Sequence, residues 1–356
     1  MKLNTAKKLT AGALALSMMF AMATPAFAQS SVNEYPDMTS VTFTKIYEAM
    51  NENTTSPKEE FKFDIEGVGV TDAASGVTIE TYGMPTVGTV SYEAGEAGSA
   101  TKAKKVTVTL PHYESVGIYT YKITEKAQGT AGVTYWGDDI ILKVTVIEEQ
   151  GGKFRVAAVH TEDAKRDGTY DTSKGENSTK NDTFRNFYSA GSLSVTKCVT
   201  GYLGDRNKKF EVTVTFKAPE GKTVKEAIKY KYSKSDTESD TEKTIAVDAW
   251  KDGKAEVKIN LAAADAVVFT NIPYDVTYTV VEKDYTTSDG YDTADYYFTD
   301  DNKKIDSAID GVVITNNKGG TVDTGVILDN APYMLMLTVV AAGAMTLVIK
   351  KRREEE

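Results

Sequence analysis

Two lysines stand where the strand pattern places apolar side chains. In "VTFTKIYE" (41–48), Val41, Phe43 and Lys45 alternate with Thr42 and Thr44, so a period of two puts Lys45 on the apolar face. "SLSVTKCV" (192–199) does the same with Leu193, Val195 and Lys197. A glutamate then falls on an inward face in each block. "YTYKITE" aligns Tyr119, Tyr121, Ile123 and Glu125, and "TYTVVE" aligns Tyr278, Val280 and Glu282. An asparagine closes each block: "FRNFY" aligns Phe184, Asn186 and Tyr188, and "VVITNN" aligns Val312, Ile314 and Asn316. The order Lys, Glu, Asn therefore occurs twice, in the same phase.

Such a set has a chemistry. Burying an unpaired ammonium costs several kcal/mol. Desolvation lowers a lysine pKa and raises a glutamate pKa, so a neutral amine and a protonated carboxyl coexist in an apolar interior. The neutral amine is a nucleophile. The carboxyl hydrogen-bonds the asparagine amide oxygen, polarises its carbon and moves protons. Loss of ammonia leaves a Lys–Asn amide, and fixed proximity removes much of the barrier without an external enzyme. The competing account is a buried Lys–Glu pair beside a hydrogen-bonded asparagine. Repetition of the triad favours the covalent account. Asn317 neighbours Asn316, but phase with Val312 and Ile314 selects Asn316; Asn271 in "FTNIP" reads as the lead-in turn of the Glu282 strand.

The elements that position these residues are short alternating runs rich in Thr, Val and Tyr, separated by Gly, Asp, Asn and Ser. "KKVTVTL" (104–110), "IILKVTVIE" (140–148), "KFEVTVTF" (209–216) and "KAEVKINL" (254–261) are examples. Spacing of this kind predicts an all-β fold of two tandem Ig-like β-sandwich domains, end to end. "VKEAIKY" (224–230) reads as one helical turn or a strand. A break at "SAGS" (189–192) divides the chain into blocks 33–188 and 191–318.

The ends of the chain indicate export. Lys2, Lys7 and Lys8, an apolar run from Leu9 to Met22 and "TPAFAQS" make a signal peptide over 1–28, cut between Ala28 and Gln29. Residues 331–349 carry no charge and are long enough to span a bilayer, with Lys350 to Arg353 opening a cytoplasmic tail at 350–356. "TVDTG" (321–325) lies just upstream. A Thr-Gly pair, a spanning segment and a basic tail form the layout of a sortase signal, with cleavage between Thr324 and Gly325. Thr321 and Val322 stand where the usual motif has Leu-Pro.

Loss of the three leader lysines takes the whole-chain charge of −10 to about −13 for residues 29–324, because 325–356 has four basic and four acidic residues. That charge disfavours nucleic acid and anionic membranes as partners. The single cysteine, Cys198, excludes an internal disulfide and points away from the face of Lys197. His112 and His160 read as surface residues without a nucleophile motif nearby, so an enzyme acting on an external substrate is not expected. The acidic stretches 235–242 and 289–302 lack calcium-loop spacing, and neither a metal nor a cofactor is expected.

"VTFTKIYE", "GIYTYKITE", "SLSVTKCVTGYLGDRNKKFEVTVTF", "NIPYDVTYTVVE" and "VVITNNKGGTVDTG" together resemble the Gram-positive, streptococcal-type two-domain major pilins. Their Ig-like, CnaB-like domains each hold an autocatalytic Lys–Asn isopeptide bond assisted by Glu. The resemblance covers nearly all of the chain between leader and anchor. It implies bonds Lys45–Asn186 and Lys197–Asn316, with Glu125 and Glu282 assisting. It also implies a shaft subunit joined by a sortase through Thr324 to a lysine of the next copy. In the resembling pilins that lysine lies a few residues before the Phe-x-Asn strand, which designates Lys180, with Lys174 in reserve. Asp323 departs from the residue usual before Thr-Gly, which leaves open which sortase reads the signal. The implied partners are other copies in a covalent fibre, pilus-specific and housekeeping sortases, minor pilins and cell-wall peptidoglycan. The implied location is the cell surface, with transient membrane anchoring before cleavage. The alternative is a wall-anchored adhesin or minor-pilin stalk. It would carry a recognition block that this chain does not display.

Overall fold

The computed structural model describes residues 36–51, 54–97, 102–165, 181–233 and 241–319. The leader, Lys174, Lys180, the Thr324–Gly325 pair and the 331–349 segment lie outside the described residues. Among the described residues no helix is long and apolar enough to cross a membrane.

Among the described residues nearly all the regular structure is strand. The first half contains β1 (Ser40–Ala49), β2 (Glu59–Thr71), β3 (Thr86–Val87), β4 (Val90–Tyr92) and β5 (Lys104–Thr109). It continues with β6 (Gly117–Lys126), β7 (Val133–Thr134), β8 (Asp138–Glu149), β9 (Lys153–Lys165) and β10 (Thr183–Tyr188). The second half contains β11 (Ala190–Thr200), β12 (Phe210–Lys217), β13 (Ile228–Tyr232), β14 (Lys243–Ile245) and β15 (Lys254–Leu261). β16 (Ala266–Pro273), β17 (Thr277–Glu282), β18 (Asp295–Phe298) and β19 (Ile309–Asn317) complete it. Of residues 224–230, only 228–230 are strand, as part of β13, which pairs with β14 and β16, and 224–227 are neither strand nor helix.

Among the described residues, four sheets form two sandwiches. The first packs β3-β5-β1-β10-β7 against β4-β2-β6-β8-β9; the second packs β14-β13-β16-β11-β19-β18 against β15-β12-β17. Alternation does the folding work. In β6, every odd position from Gly117 to Glu125 is buried and the residues between them are not, as a half-buried strand requires. The first core gathers Phe43, Phe61, Tyr119, Tyr121 and Phe184; the second gathers Val195, Val214, Phe216, Phe269 and Ile314.

In each sandwich the first and last strands are neighbours and run parallel: β1 with β10, and β11 with β19. A parallel pair cannot be closed by a hairpin, so all the other strands of the sandwich lie between its two members in the chain.

Only Ser189 separates β10 from β11. Across this junction, the N–H of Ala131 donates to the Thr223 carbonyl (2.9 Å) and the N–H of Thr223 to the Gly129 carbonyl (2.8 Å). The N–H of Tyr274 donates to the Ser189 carbonyl at 3.0 Å. The buried Glu59 carboxylate accepts hydrogen bonds from Thr130 (2.8 Å), Tyr135 (3.0 Å) and Lys225 (3.0 Å), tying the two halves with one charge. Asn271 corrects an expectation. It is no lead-in turn but part of β16, at φ 62°, and its Oδ1 accepts the Thr55 N–H at 2.9 Å.

Gly191 makes the closest approach at the junction: a Cβ there would lie 2.3 Å from the Ser307 carbonyl oxygen. That neighbour is backbone and cannot swing aside. Gly191→Ala is expected to destabilise the protein by about 1–3 kcal/mol through overpacking, read as a lowered denaturant midpoint at unchanged slope.

Candidate functional site

Lys45, Glu125 and Asn186 converge inside the first sandwich, and Lys197, Glu282 and Asn316 inside the second. All six are buried, and both lysines have no exposed surface at all. The parallel pairing explains the first contact. Lys45 lies opposite Phe184 and Asn186 opposite Tyr47, so lysine and asparagine share a face on adjacent strands, offset by two residues. The second sandwich repeats this: Lys197 lies opposite Ile314, and Asn316 opposite Val199. The lysine side chain spans that diagonal. The glutamate arrives from the facing sheet, on β6 in one case and β17 in the other.

Distances define the first cluster. Lys45 Nζ is 2.8 Å from Glu125 Oε1, and the Asn186 amide nitrogen donates to the same oxygen at 2.8 Å. The backbone N–H of Trp136 donates to Asn186 Oδ1 at 2.8 Å and reaches Glu125 Oε2 at 3.3 Å. The arrangement expected from sequence, with the carboxyl on the amide oxygen, is therefore reversed. The carboxylate faces the amide nitrogen, and a backbone N–H holds the oxygen. In the second cluster, Lys197 Nζ lies 2.8 Å from Glu282 Oε2 and donates to Asn316 Oδ1.

An aromatic ring covers each amine. Lys45 Nζ sits 4.3 Å from the Phe61 ring centroid, and Lys197 Nζ sits 4.4 Å from that of Phe210. The two rings are equivalent by register. Phe63 lies opposite Glu125 and Val212 opposite Glu282, and each ring comes two residues earlier on the same strand face. Sequence reasoning missed Phe61, Phe210 and Trp136. The phenylalanines were visible as inward aromatics in "EEFKF" and "KKFEV", but not their pairing with the glutamate strands. Nothing in the sequence marks a backbone N–H.

Burial pushes the Lys45 amine down to about 8, with the Glu125 charge and hydrogen bond pulling the other way. Burial also lowers Lys197, opposed by its hydrogen bond to Glu282 and the charge of that carboxylate. The sites differ in access. A cleft of about 240 Å³ reaches Glu282 and Asn316 and is lined also by Tyr285, Asp292, Ala294 and Tyr296.

Other candidates lie elsewhere. Asn317 accepts from Thr200 Oγ1 (3.2 Å) and donates to Asp292 (2.6 Å), away from the lysine. Cys198 is half-buried and its thiol is raised by burial. His112 is exposed, and His160 Nε2 stands 3.5 Å from Glu162. Among the described residues, no group of three or more His, Cys, Asp or Glu is placed to hold a metal ion.

Comparison with known proteins gives a consistent picture. Residues 41–189 match the family model of the Spy0128-like isopeptide containing domain. Residues 191–318 match a domain of unknown function, DUF7601. A pilin of Streptococcus pyogenes serotype M1 is 28% identical over 338 residues, covering 87% of this chain and 90% of that protein. The crystal structure of the major pilin from Streptococcus pyogenes superposes with a TM-score of 0.51 at 22% identity, covering 79% of this chain and 99% of that one. The T3.2 major pilin of the same organism gives 0.52 at 20% identity, covering 80% and 99%. These structural likenesses establish the shared fold.

A lysine whose folded pKa is lowered binds fewer protons in the native state than in the unfolded chain. Between about 8 and 10.5 the unfolded state holds a proton that the native state has released, so stability rises with pH in that window and is flat below it on this account. An Asn186→Ala chain, which keeps the Lys45 amine free, should gain up to about 1.4 kcal/mol per pH unit from pH 8 to 9.5 relative to Asn186→Ala, Lys45→Met. Urea midpoints at three pH values in this range check it, and equal slopes for both chains would contradict a depressed amine.

Proposed function

We infer that this chain, a two-domain pilin of the Gram-positive streptococcal type, is a shaft subunit whose two domains each seal themselves with a Lys–Asn amide and which a sortase joins into a covalent fibre. One observation carries the intramolecular part. Two sandwiches place lysine, glutamate, asparagine and a covering phenylalanine in the same registers. A chance salt bridge has no reason to recur in this detail.

The chemistry follows from the geometry. Lys45 passes a proton to Glu125 and becomes a neutral amine, which burial favours. Its nitrogen attacks the Asn186 side-chain carbonyl carbon while the Trp136 N–H steadies the developing charge on Oδ1. Glu125, already bonded to the amide nitrogen, returns the proton there as the carbon–nitrogen bond breaks. The Lys45 nitrogen, which still carries two protons after the attack, gives one of them to Glu125, so that a new amide forms and one ammonia leaves. In the second domain, Lys197, Glu282 and Asn316 take the same parts, and the cleft gives ammonia a way out.

Each bond closes a loop of more than a hundred residues, and by analogy with a disulfide contributes roughly 4–5 kcal/mol by restricting the unfolded chain. Tension enters and leaves each domain through its first and last strands, so a covalent tie between them carries load without unfolding what lies between. We assign the domains to 33–188 and 191–318. The leader ends at Ala28, and the sortase takes Thr324 as acyl donor, releasing Gly325 and the anchor. Lys180 of the next copy is the acceptor, with Lys174 in reserve. Placement at the cell surface and attachment to peptidoglycan follow from the same signal.

The intact mass of the folded protein should fall two ammonia molecules short of the sequence mass, with Glu125→Ala and Glu282→Ala each restoring one. Full sequence mass would remove the covalent reading.

Digestion of purified fibres should yield a branched peptide joining Thr324 to Lys180. A high-molecular-weight ladder that persists in the Lys180→Ala, Lys174→Ala chain would refute the acceptor assignment. No ladder from the unaltered chain would favour an anchored stalk.

A further inference from the structure

The most exposed apolar side chains among the described residues belong to one tip. Tyr202 and Leu203 are 79% and 67% exposed and follow the end of β11. The tip is held in place. The Leu203 N–H donates to the Lys318 carbonyl (3.1 Å), and Gly201 sits at φ 85°, where a side chain would be strained. Gly319 packs so closely on Leu203 that an added Cβ would lie 2.9 Å from its Cγ. Two large apolar groups fixed in water call for a partner.

A complementary surface lies at the far end of the first sandwich. A groove of about 340 Å³ is bounded by Val116, Ile118, Val146 and Ile147, with the exposed carboxylates Asp72 and Glu148 on its rim. Strand direction fixes both positions. β2 starts at the junction, where Glu59 meets Lys225, and ends at Thr71, paired with Ile118 beside the groove. β11 starts at the junction with Ala190 and ends at Thr200, beside the tip. Tip and groove thus each lie at the end of their own sandwich remote from the junction, which places them to meet between two copies rather than within one.

We propose that the Tyr202–Leu203 tip of one copy seats in the Val116–Ile147 groove of the next, with the exposed Arg206 of the tip against Asp72 and Glu148. The occupant is a second copy of this chain, for two reasons. The described residues end at Gly319, in contact with Leu203, and Thr324 follows five residues later, within at most about 18 Å of chain. The atom joined to the next copy is therefore tethered beside the tip. The charges are also opposite, a guanidinium on the tip and two carboxylates at the groove. Unlike surfaces meeting head to tail do not close into a ring unless the rotation returns on itself, so the contact builds an open filament. This docking rests on the shaft reading and adds to it a non-covalent register that aligns each subunit for the sortase.

The test uses the full chain in cells that assemble it. Tyr202→Cys and Ile147→Cys are combined in a Cys198→Ser background, fibres are mildly oxidised, and peptides are mapped. The expected product is a disulfide joining the two introduced cysteines between successive subunits. Normal fibres without that peptide overturn the docking and leave the shaft reading standing, whereas no fibres from the unaltered chain overturn both. In a second arm, Arg206→Glu should reduce the ladder severalfold while the mass deficit of two ammonia molecules stays, and adding Asp72→Lys and Glu148→Lys should restore it. Failure to restore, with the mass deficit intact, also overturns the proposal.

Discussion

The parallel pairing of first and last strands is the constraint on which the rest of this structure depends. It sets lysine and asparagine on one face at a two-residue offset in both sandwiches. Everything else in the site serves that diagonal. The facing sheet supplies one carboxylate, and a phenylalanine two residues out of register covers the amine. A charged amine without water is unfavourable by several kcal/mol; burial lowers the pKa of both lysine amines, and a carboxylate from the facing sheet offsets part of that cost.

The junction extends this logic beyond a single domain. Ser189 alone separates the two sandwiches, and each core takes an alanine from the other side of it: Ala190 in the first, Ala131 in the second. The Glu59 carboxylate and the strained Asn271 each bond across it. A left-handed asparagine costs about 1–3 kcal/mol, and it persists here because its side chain satisfies a backbone N–H of the other half. Hydrogen bonding thus continues from sandwich to sandwich.

The two clusters are alike in register but differ in surroundings. In the first, the Trp136 N–H holds the asparagine oxygen and closes that side of the site. In the second, the lysine amine meets the oxygen directly, and a cleft opens onto glutamate and asparagine. The same three residue types thus meet in a pocket capped by a backbone donor and in one open to a cleft.

Local alternation carried much of this protein into plain view. A strand's side chains change face every residue whatever the strand pairs with, so the burial of Lys45, Glu125, Asn186, Lys197, Glu282 and Asn316 was legible from neighbours within a few residues. The all-β class and the strand content came from the same short-range signal. Pairing is not local. That Asn186 lies diagonal to Lys45, that Phe61 covers the amine and that the Trp136 N–H holds the amide oxygen depend on registers between segments up to 141 residues apart. The orientation of the Asn186 amide was misjudged for that reason: its oxygen goes to the donor that the fold brings, and sequence carries no mark of a backbone N–H. Asn271 reads as a lead-in turn from its place in "FTNIP" just before the Glu282 strand, while its partner, Thr55, is 216 residues away. Which faces are buried is decided by each strand alone; which buried groups meet is decided only when the sheets close on one another.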